Sequence, residues 1–462
     1  MANLTLADVA NGTAPCQVYG TASLDLVFAD VVHDSRLARP GSLFVALRGE
    51  RDGHEFVRDA VGRGASGVLG DHLVPEAEWL AVAAGRPVTY VVVDDSLKAL
   101  QRLARRWRER QPVEVIGVTG SVGKTSTKEA IAAVLARRFR VLRNEKNYNN
   151  EIGLPLTLLT LDETYQKAVL EMGMYAIGEI RDLCALAEPR VGVVTNVGPV
   201  HLERLGTIEN IARAKTELVE SLPADGLAVL NGDDPRVRAM AAKTRARAVY
   251  YGFDDANDIR ASDVVPRGLA GVRFALHANG RRQEIEMSLP GRHSVYNALA
   301  AAAVGLGVGL TWDEVAAALG ELSPGLRLVV VPGRNGAVII DDTYNASPAS
   351  TLAALDLLAQ VPGRRTAILG DMLELGNYEE EGHREVGYRA AEVVESLIVV
   401  GERARLIAEA AATRGLRDIA YARTSAEVAY EPRPGEHILV KGSRSMRMEE
   451  AVAKLRAEEG GR

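Results

Sequence analysis

The sequence of 462 residues contains little cysteine and no long apolar run. Its two cysteines, Cys16 and Cys184, lie far apart without the spacing of a metal site, which favours a reducing compartment over a disulfide scaffold. The most apolar stretch, LAAAAVGLGVGL at 299–310, is short and interrupted by glycine, so we expect no membrane insertion. The first residues, MANLTLADVANG, show neither the basic segment nor the apolar core of a signal peptide. These features together predict a cytoplasmic protein.

The charge balance argues against a nucleic-acid partner. The net charge is −6 and the isoelectric point is near 5.9, whereas nucleic-acid-binding surfaces are basic. The proportions of hydrophobic (47%) and charged (25%) residues are those of an ordinary globular protein. A chain of this length is too long for a single hydrophobic core, so we expect two to four domains. We also expect the protein to be a monomer.

Short β-branched runs alternate with helical stretches along most of the chain, a pattern typical of α/β folds with largely parallel sheets. The predicted strands are Val113–Val118, Ala168–Glu171, Val191–Asn196, Leu227–Leu230, Val338–Asp341, Ala367–Leu369, Leu397–Val400 and Ile438–Val440. Apolar and polar residues alternate with a period of two in 253–290, which predicts antiparallel strands within the central domain. The charged helix at 101–114 and the Pro/Gly-rich segment at 321–336 predict domains at 1–99, 100–326 and 327–462.

The stretch GVTGSVGKTST at 117–127 follows a strand and precedes an amphipathic helix. That order points backbone N–H groups and the positive end of the helix dipole at an anion. Lys124 adds a positive charge, and Thr125 offers a hydroxyl to a Mg²⁺ bound to phosphates. A tight turn with an incidental Gly-Lys pair is the alternative. The predicted phosphate-binding residues are Thr119, Gly120, Ser121, Val122, Gly123, Lys124, Thr125 and Ser126.

The spacing T-G-x-x-G-K-T differs from the Walker pattern and resembles the ATP loop of the Mur ligase superfamily. Further similar motifs follow in order, so the resemblance covers nearly the whole chain. It implies an ATP-dependent amide-bond ligase that uses ATP and Mg²⁺. It also implies three domains: an N-terminal UDP-substrate-binding α/β domain, a central P-loop ATPase-like domain with a mainly parallel sheet, and a C-terminal Rossmann-like domain.

Two acidic or amide positions of the central domain gain roles from this resemblance. Glu171 ends an apolar strand, where a lone carboxylate is costly unless it meets a cation; the family uses this glutamate as a Mg²⁺ ligand. The segment NYNNEIGLPLTLL at 147–159 resembles one that places an asparagine, here Asn150, beside the reacting phosphate and substrate. Without the resemblance, this asparagine cluster reads equally well as a turn and helix cap.

Two basic positions follow at 195–222. His201 comes after a strand end, and its neutral ring could bind a second Mg²⁺, although a lone histidine is more often structural. Lys215 shares a helix with Ile211, Ala214 and Leu218. In relatives the matching lysine forms a carbamate with CO₂ and so becomes a metal partner, which requires a lysine of lowered pKa. The alternative is a solvated helix lysine.

The resemblance extends to the nucleotide's other contacts. GRHSVYNALAAAAVG at 291–305 resembles a segment in which an asparagine, here Asn297, contacts the adenine, although Ser294 departs from the family pattern. Arg327 and Asp342 resemble an arginine and an aspartate that close on the nucleotide from the interdomain hinge and the C-terminal domain. The residues around Arg327, LSPGLRLVVVPG, depart from the usual motif of the family.

The C-terminal motifs distinguish members of the superfamily. IIDDTYNASPAST, ILGDMLELGNYEEEGH and ILVKGSRSMRMEE resemble the members that add D-alanyl-D-alanine to UDP-N-acetylmuramoyl-tripeptide through an acyl-phosphate. The resemblance implies dipeptide contacts from Tyr344, Asn345, Lys441, Ser443 and Arg444, with a salt bridge as the alternative role of Arg444.

The N-terminal stretch DSRLARPGSLFVALRGERDGHEF resembles the UDP-substrate domain of the same members. It implies uridine diphosphate contacts from Ser35, Arg36, Arg48, Gly49, Asp52, Gly53 and His54. By local chemistry alone this is a polar loop. The other functions considered are a diaminopimelate- or lysine-adding Mur ligase, a folylpolyglutamate synthase, an inactive paralogue and, outside the ligases, an ATP-hydrolysing switch.

Overall fold

The computed structural model describes residues 4–20, 22–145, 147–322 and 329–457. Three mainly parallel sheets with helices on their faces follow one another along the chain, which confirms the predicted α/β class. Within the described residues, no helix combines the length and apolarity needed to cross a bilayer. The three predicted domain ranges stay predictions, although each contains one of the sheets.

The N-terminal region carries a five-stranded sheet in the order β2-β7-β6-β5-β4, with only β2 antiparallel to its neighbour. The strands of this region are β1 (Leu4–Thr5), β2 (Cys16–Gly20), β3 (Val27–Phe28), β4 (Asp30–Val32), β5 (Ser42–Val45), β6 (Gly67–Gly70) and β7 (Thr89–Val93). β1 and β3 lie outside the five-stranded sheet and pair with each other. Its helices are α1 (Leu6–Thr13), α2 (Val57–Gly62) and α3 (Glu76–Ala83). β5 ends three residues before Arg48, so Arg48 and Gly49 belong to the loop that follows this strand.

Helix α4 (Ser96–Glu109) connects the first sheet to the second. Its apolar residues recur at helical spacing and are buried, from Ala99 and Leu100 to Trp107. The indole Nε1 of Trp107 donates to the Leu161 carbonyl at 2.9 Å, which ties the helix to the central region. The predicted boundary at 99/100 therefore falls inside a continuous helix.

The central region is built on a nine-stranded sheet in the order β16-β15-β14-β13-β12-β11-β8-β10-β9. Strands β8 to β14 pair in parallel with one another, whereas β15 and β16 pair antiparallel with their neighbours. This confirms the antiparallel strands predicted for 253–290. The strands are β8 (Glu114–Thr119), β9 (Val141–Arg143), β10 (Lys167–Glu171), β11 (Val191–Val194), β12 (Leu227–Asn231), β13 (Arg247–Gly252), β14 (Ile259–Pro266), β15 (Val272–Ala278) and β16 (Arg281–Met287).

Helices cover both faces of this sheet. They are α5 (Lys124–Leu135), α6 (Gly153–Leu158), α7 (Glu179–Ala187), α8 (Leu202–Leu205), α9 (Ile208–Glu220), α10 (Pro235–Ala239), α11 (Arg292–Gly307) and α12 (Trp312–Gly320). The alanine-rich α11 is buried along most of its length against α5 and the sheet, because its small side chains permit close approach. This explains why the most apolar run of the sequence is a core helix.

The C-terminal region carries a six-stranded sheet in the order β17-β18-β22-β19-β20-β21, parallel except for β17. Its strands are β17 (Val329–Pro332), β18 (Val338–Asp342), β19 (Arg365–Gly370), β20 (Ser396–Val400), β21 (Ile419–Ala422) and β22 (His437–Lys441). Its helices are α13 (Pro348–Leu358), α14 (Glu379–Val393), α15 (Arg405–Thr413) and α16 (Glu449–Leu455).

The carboxyl ends of the central strands face those of β18 and β22 across one cleft. β8, β10 and β11 are neighbours in register, so their following loops meet at one edge of the sheet. Open parallel sheets bind ligands at this edge. A cavity of about 1370 Å³ occupies the cleft and is lined by residues of both the central and the C-terminal regions.

Candidate active site

The predicted phosphate loop forms the turn between β8 and α5. Gly123 precedes the helix with φ +84, and α5 begins at Lys124 as expected. Gly120 has φ +149, and a Cβ there would lie 1.9 Å from Thr195 Oγ1. Only glycine fits at position 120, because both the backbone angle and the neighbour exclude a side chain. The loop thus brings backbone N–H groups and a helix N-terminus to the cleft.

Residues after β11 brace this loop. The Val122 N–H donates to Asn196 Oδ1 at 2.9 Å, and Asn196 Nδ2 donates back to the Val122 carbonyl at 2.9 Å. Thr195 Oγ1 donates to the same carbonyl at 2.7 Å. Neither residue was among the predicted site residues, although TNVGP directly follows the end of β11. Their bonds hold the loop in place before any ligand arrives.

Lys124 lies against its own loop. Its ammonium donates to the Gly120 carbonyl at 3.0 Å and to the Ser121 carbonyl at 3.3 Å. The positive charge is therefore held at the turn that a phosphate would occupy, next to the N-terminus of α5.

Thr125 and Glu171 form a polar pair at the cleft edge. Thr125 Oγ1 donates to Glu171 Oε2 at 2.6 Å, and Asn149 Nδ2 donates to Glu171 Oε1 at 2.8 Å. Glu171 is only 2% exposed, so its carboxylate is buried without an ion-pair partner among the described residues. Hydroxyl, carboxylate and amide oxygens are the donors that Mg²⁺ prefers, and this set fits that ion.

The asparagine cluster divides between two tasks. Asn149, which was not among the predicted site residues, contacts Glu171. Asn150, which it did, accepts from the Ile152 and Gly153 N–H groups at 3.3 and 2.9 Å at the start of α6. Both residues line the cavity, which is compatible with a substrate contact from Asn150. That contact stays a prediction.

Lys215 lies in α9, is 2% exposed and lines the cavity. The structure shows no hydrogen bond or ion pair of its ammonium within the described residues. Burial, and to a lesser degree the charge of Lys124, lowers the pKa of Lys215 well below its usual value. The solvated-lysine alternative is excluded. The lowered pKa favours the neutral amine that carbamate formation needs, while the carbamate itself stays a prediction.

His201 is reached from the C-terminal region. Its Nδ1 lies 2.5 Å from Glu374 Oε2, in the loop after β19. The hydrogen bond from His201 lowers the pKa of Glu374. The ring of Tyr175 packs edge-on against the imidazole at 5.1 Å. Glu374 belongs to the motif GDMLELG, but the sequence alone gave no sign that it meets His201.

The nucleotide-contact predictions lie along the same cavity. Asn297 Oδ1 accepts from Thr127 Oγ1 at 3.0 Å, which places it beside the phosphate-loop helix. Asp342 accepts from the ammonium of Lys441 at 2.6 Å, and these two residues are register partners on β18 and β22. Arg327 lies outside the described residues.

The predicted dipeptide contacts cluster on the side of the cavity that the C-terminal region forms, which we call the C-terminal wall. Lys441 also donates to the Asn345 carbonyl at 2.8 Å and is buried, so its charge is already engaged within the wall. Ser443 accepts from the Leu373 N–H at 2.9 Å. Arg444 pairs with Glu449 at 3.1 Å, the salt bridge considered as its alternative. Tyr344 is exposed to the cavity. All five stay predicted contacts.

The predicted uridine diphosphate contacts divide between two loops. Ser35 is buried and hydrogen-bonds Asp59, lowering the pKa of that carboxyl, whereas Arg36 is exposed and pairs with Asp34 at 2.6 Å. Arg48 is exposed and pairs with Asp71 at 2.7 Å.

The turn of Asp52, Gly53 and His54 is internally bonded. Asp52 Oδ1 lies 2.6 Å from His54 Nδ1, while His54 Nε2 accepts from the Asp71 N–H at 3.2 Å. A Cβ at Gly53 would lie 2.6 Å from the Leu47 backbone. Gly49 donates its N–H to the Arg51 carbonyl at 3.2 Å. These bonds fix the shape of the loop, and its ligand stays a prediction.

Fold and site together define a multidomain α/β protein of the phosphate-loop class. The model of the Mur ligase middle domain matches residues 118–305, and that of the Mur ligase glutamate ligase domain matches residues 326–444. A UDP-N-acetylmuramoyl-tripeptide–D-alanyl-D-alanine ligase of Bacillus subtilis is 38% identical over 93% of both chains. That of Escherichia coli is 35% identical over 97% of both. The chain belongs to the Mur ligase family.

Solved structures agree with this assignment. A crystal structure of MurF from Acinetobacter baumannii superposes with a TM-score of 0.84, 29% identity and 98% of each chain covered. MurF from Thermotoga maritima in complex with ADP gives a TM-score of 0.78 at 30% identity, covering 92% of this chain and 96% of that one.

Proposed function

We propose that this protein is an ATP-dependent ligase that joins D-alanyl-D-alanine to UDP-N-acetylmuramoyl-tripeptide, giving UDP-N-acetylmuramoyl-pentapeptide, ADP and phosphate. The observation that carries the proposal is the single cavity shared by the phosphate loop, Glu171 and the C-terminal wall. In this cavity a nucleotide, a carboxylate and an amine can be bound next to one another. Relatives of that activity align over nearly the entire chain.

The chemistry requires two successive attacks. The terminal carboxylate of the tripeptide attacks the γ-phosphorus of ATP, ADP departs, and an acyl-phosphate forms. The free amine of the dipeptide then attacks the acyl carbon, phosphate leaves with its bonding electron pair, and the amine loses a proton. Because the carboxylate and the phosphates are all anionic, Lys124 and the α5 N-terminus serve to lower their repulsion.

Thr125 and Glu171 would hold a Mg²⁺ on the nucleotide side of the cavity, and His201 and a carbamylated Lys215 would hold a second. Bound there, the ions supply positive charge that neutralises the phosphates. The bonds from Asn149 and Thr125 keep the Glu171 carboxylate aimed at this position.

The two remaining regions supply the substrates. The N-terminal loops around Ser35 and Arg48 would hold the uridine diphosphate, and the wall around Tyr344 and Asn345 the dipeptide. Because the acyl-phosphate is easily hydrolysed, enclosure between two domains protects it from water. Since UDP-linked precursors and ATP are cytoplasmic, we place the protein there and propose that it acts as a monomer, to be checked by light scattering.

Phosphate release from ATP tests the proposal. Purified protein is given UDP-N-acetylmuramoyl-tripeptide and, in separate reactions, D-alanyl-D-alanine, diaminopimelate, lysine or glutamate. We expect release only with the dipeptide, and loss of release in Lys124→Ala but not in Lys243→Ala, an exposed lysine. Release without any amine would favour an ATP-hydrolysing switch. Release with diaminopimelate, lysine or glutamate in place of the dipeptide would favour another ligase.

A further inference from the structure

The loop after β19 forms one of the contacts between the C-terminal region and the central region. Its short 3₁₀ turn, Gly376–Tyr378, packs against α8, which directly follows His201. The Glu374 carboxylate reaches across to His201 Nδ1 at 2.5 Å. The contact therefore connects two separate sheets through a side chain of the cavity.

The backbone at this junction is closely fitted. Gly376 has φ +55, and a Cβ there would lie 2.9 Å from the Glu203 amide nitrogen. Glu374 itself has φ +63, a left-handed conformation that is uncommon for a residue with a side chain. Such conformations persist where surrounding contacts determine them, and they cluster at functional sites.

The imidazole of His201 is packed on a second side. The Tyr175 ring meets it edge-on at 5.1 Å, and the Arg204 guanidinium lies 4.6 Å above the Tyr175 ring. The ring is therefore held by a carboxylate from one domain and an aromatic side chain from the other.

We propose that Glu374 is a positioning residue that sets the tautomer of His201 and does so only while the two domains are docked. An ionised carboxylate only accepts hydrogen bonds, so in the neutral imidazole form of His201 the contact places the proton on Nδ1 and the lone pair on Nε2. Carboxylates orient ligating histidines in this way in metal sites generally. The catalytic consequence rests on the proposed function, whereas the tautomer and the docking do not.

Nitrogen-15 spectra of histidine-labelled protein test the tautomer directly. The chain has eight histidines, and the His201 signals are identified by their loss in His201→Asn. Glu374→Gln, whose amide can either accept from Nδ1 or donate to it, should show a mixture of both ring tautomers. We expect a protonated Nδ1 in the wild type. Glu374→Ala should lose this tautomer, whereas Glu381→Ala, an exposed carboxylate of α14, should keep it. An unchanged tautomer in Glu374→Ala overturns the proposal.

A second pair of variants tests the docking without touching either side chain. Gly376→Ala should push the loop from α8 and increase the domain separation seen by small-angle scattering, with loss of the Nδ1 tautomer. Gly415→Ala has a similar positive φ but nothing within 4 Å, and should change neither. Unchanged separation and tautomer in Gly376→Ala overturn the proposal.

Turnover supplies the last readout. Outer contacts of metal ligands typically cost about 10–100-fold in activity or metal affinity when removed. Glu374→Ala should lower kcat by that factor and Glu374→Gln by a few-fold only; equal, wild-type kcat in both overturns the catalytic part. If the wild type forms no amide at all, the proposed function fails while the spectra and scattering still decide the docking claim.

Discussion

Two buried lysines should respond in opposite directions to the same substitution. Lys215 and Lys128 are 2% and 1% exposed, but within the described part of the chain only Lys128 has partners, the Asn144 carbonyl and Glu129 at 3.1 Å. Lys215→Met removes a buried amino group that has no hydrogen-bonding partner among the described residues, while Lys128→Met leaves a buried carbonyl without its donor. We expect the first variant to be more stable than the wild type and the second less stable.

The magnitudes follow from burial. Replacing buried ion pairs by apolar side chains of similar volume often stabilises a fold by about 1–4 kcal/mol, and Lys215, which has no partner among the described residues, loses no attraction in such an exchange. Leaving a buried acceptor without its donor costs about 1–3 kcal/mol. One kcal/mol shifts the melting temperature of a domain of this size by roughly 2–4 °C. Calorimetry at neutral pH should therefore show Lys215→Met melting at least about 2 °C above the wild type and Lys128→Met below it.

The pH dependence has a definite sign. Because burial lowers the pKa of Lys215 in the folded state, the unfolded chain binds more protons between that pKa and the ordinary value of 10.5. Stability of the wild type therefore rises with pH in this window, and the advantage of Lys215→Met shrinks toward pH 10.5. A Lys215→Met variant that melts below the wild type at neutral pH would refute the reasoning.

Other substitutions test the remaining site. Lys124→Ala should lower kcat roughly 100- to 1000-fold, the scale for one lost oxyanion donor, with an unchanged circular dichroism spectrum; a loss below about tenfold would contradict its role. Glu171→Gln should raise the Mg²⁺ concentration needed for half-maximal activity, and an unaltered magnesium titration would show a structural role. Gly120→Ala should abolish nucleotide binding in calorimetry, because its Cβ collides with Thr195 Oγ1. Lys215→Ala should be inactive and partly rescued by short carboxylic acids; rescue by alkylamines alone would exclude the carbamate.

Much of the fold follows from local patterns. Strands such as Val191–Val194 and Leu227–Asn231 are continuous β-branched or leucine-rich runs. Such runs predict both the strands and, to within two residues, where each strand begins and ends. The boundary near residue 99 was harder, because α4 continues through it and packs on both sides. Helical periodicity identifies such a helix but not which domain owns it.

The site was predictable where one short segment carries the chemistry. The loop and Lys124 follow from strand, glycine and helix order alone. Partners contributed by distant segments were not predictable: Glu374 meets His201 from 173 residues away, and Asn149 rather than its neighbour meets Glu171. The burial of Lys215 also needed the structure, since its helix could have turned that face to solvent.

Transfer of an oxygen label tests the proposed reaction most directly. UDP-N-acetylmuramoyl-tripeptide labelled with oxygen-18 in its terminal carboxylate is incubated with ATP, D-alanyl-D-alanine and the protein, and both products are analysed by mass spectrometry. Attack of the carboxylate on the γ-phosphorus leaves one carboxylate oxygen in the departing phosphate, so each pentapeptide formed should release one phosphate carrying one labelled oxygen. Pentapeptide formed with unlabelled phosphate, or phosphate released without pentapeptide, would contradict ligation through an acyl-phosphate.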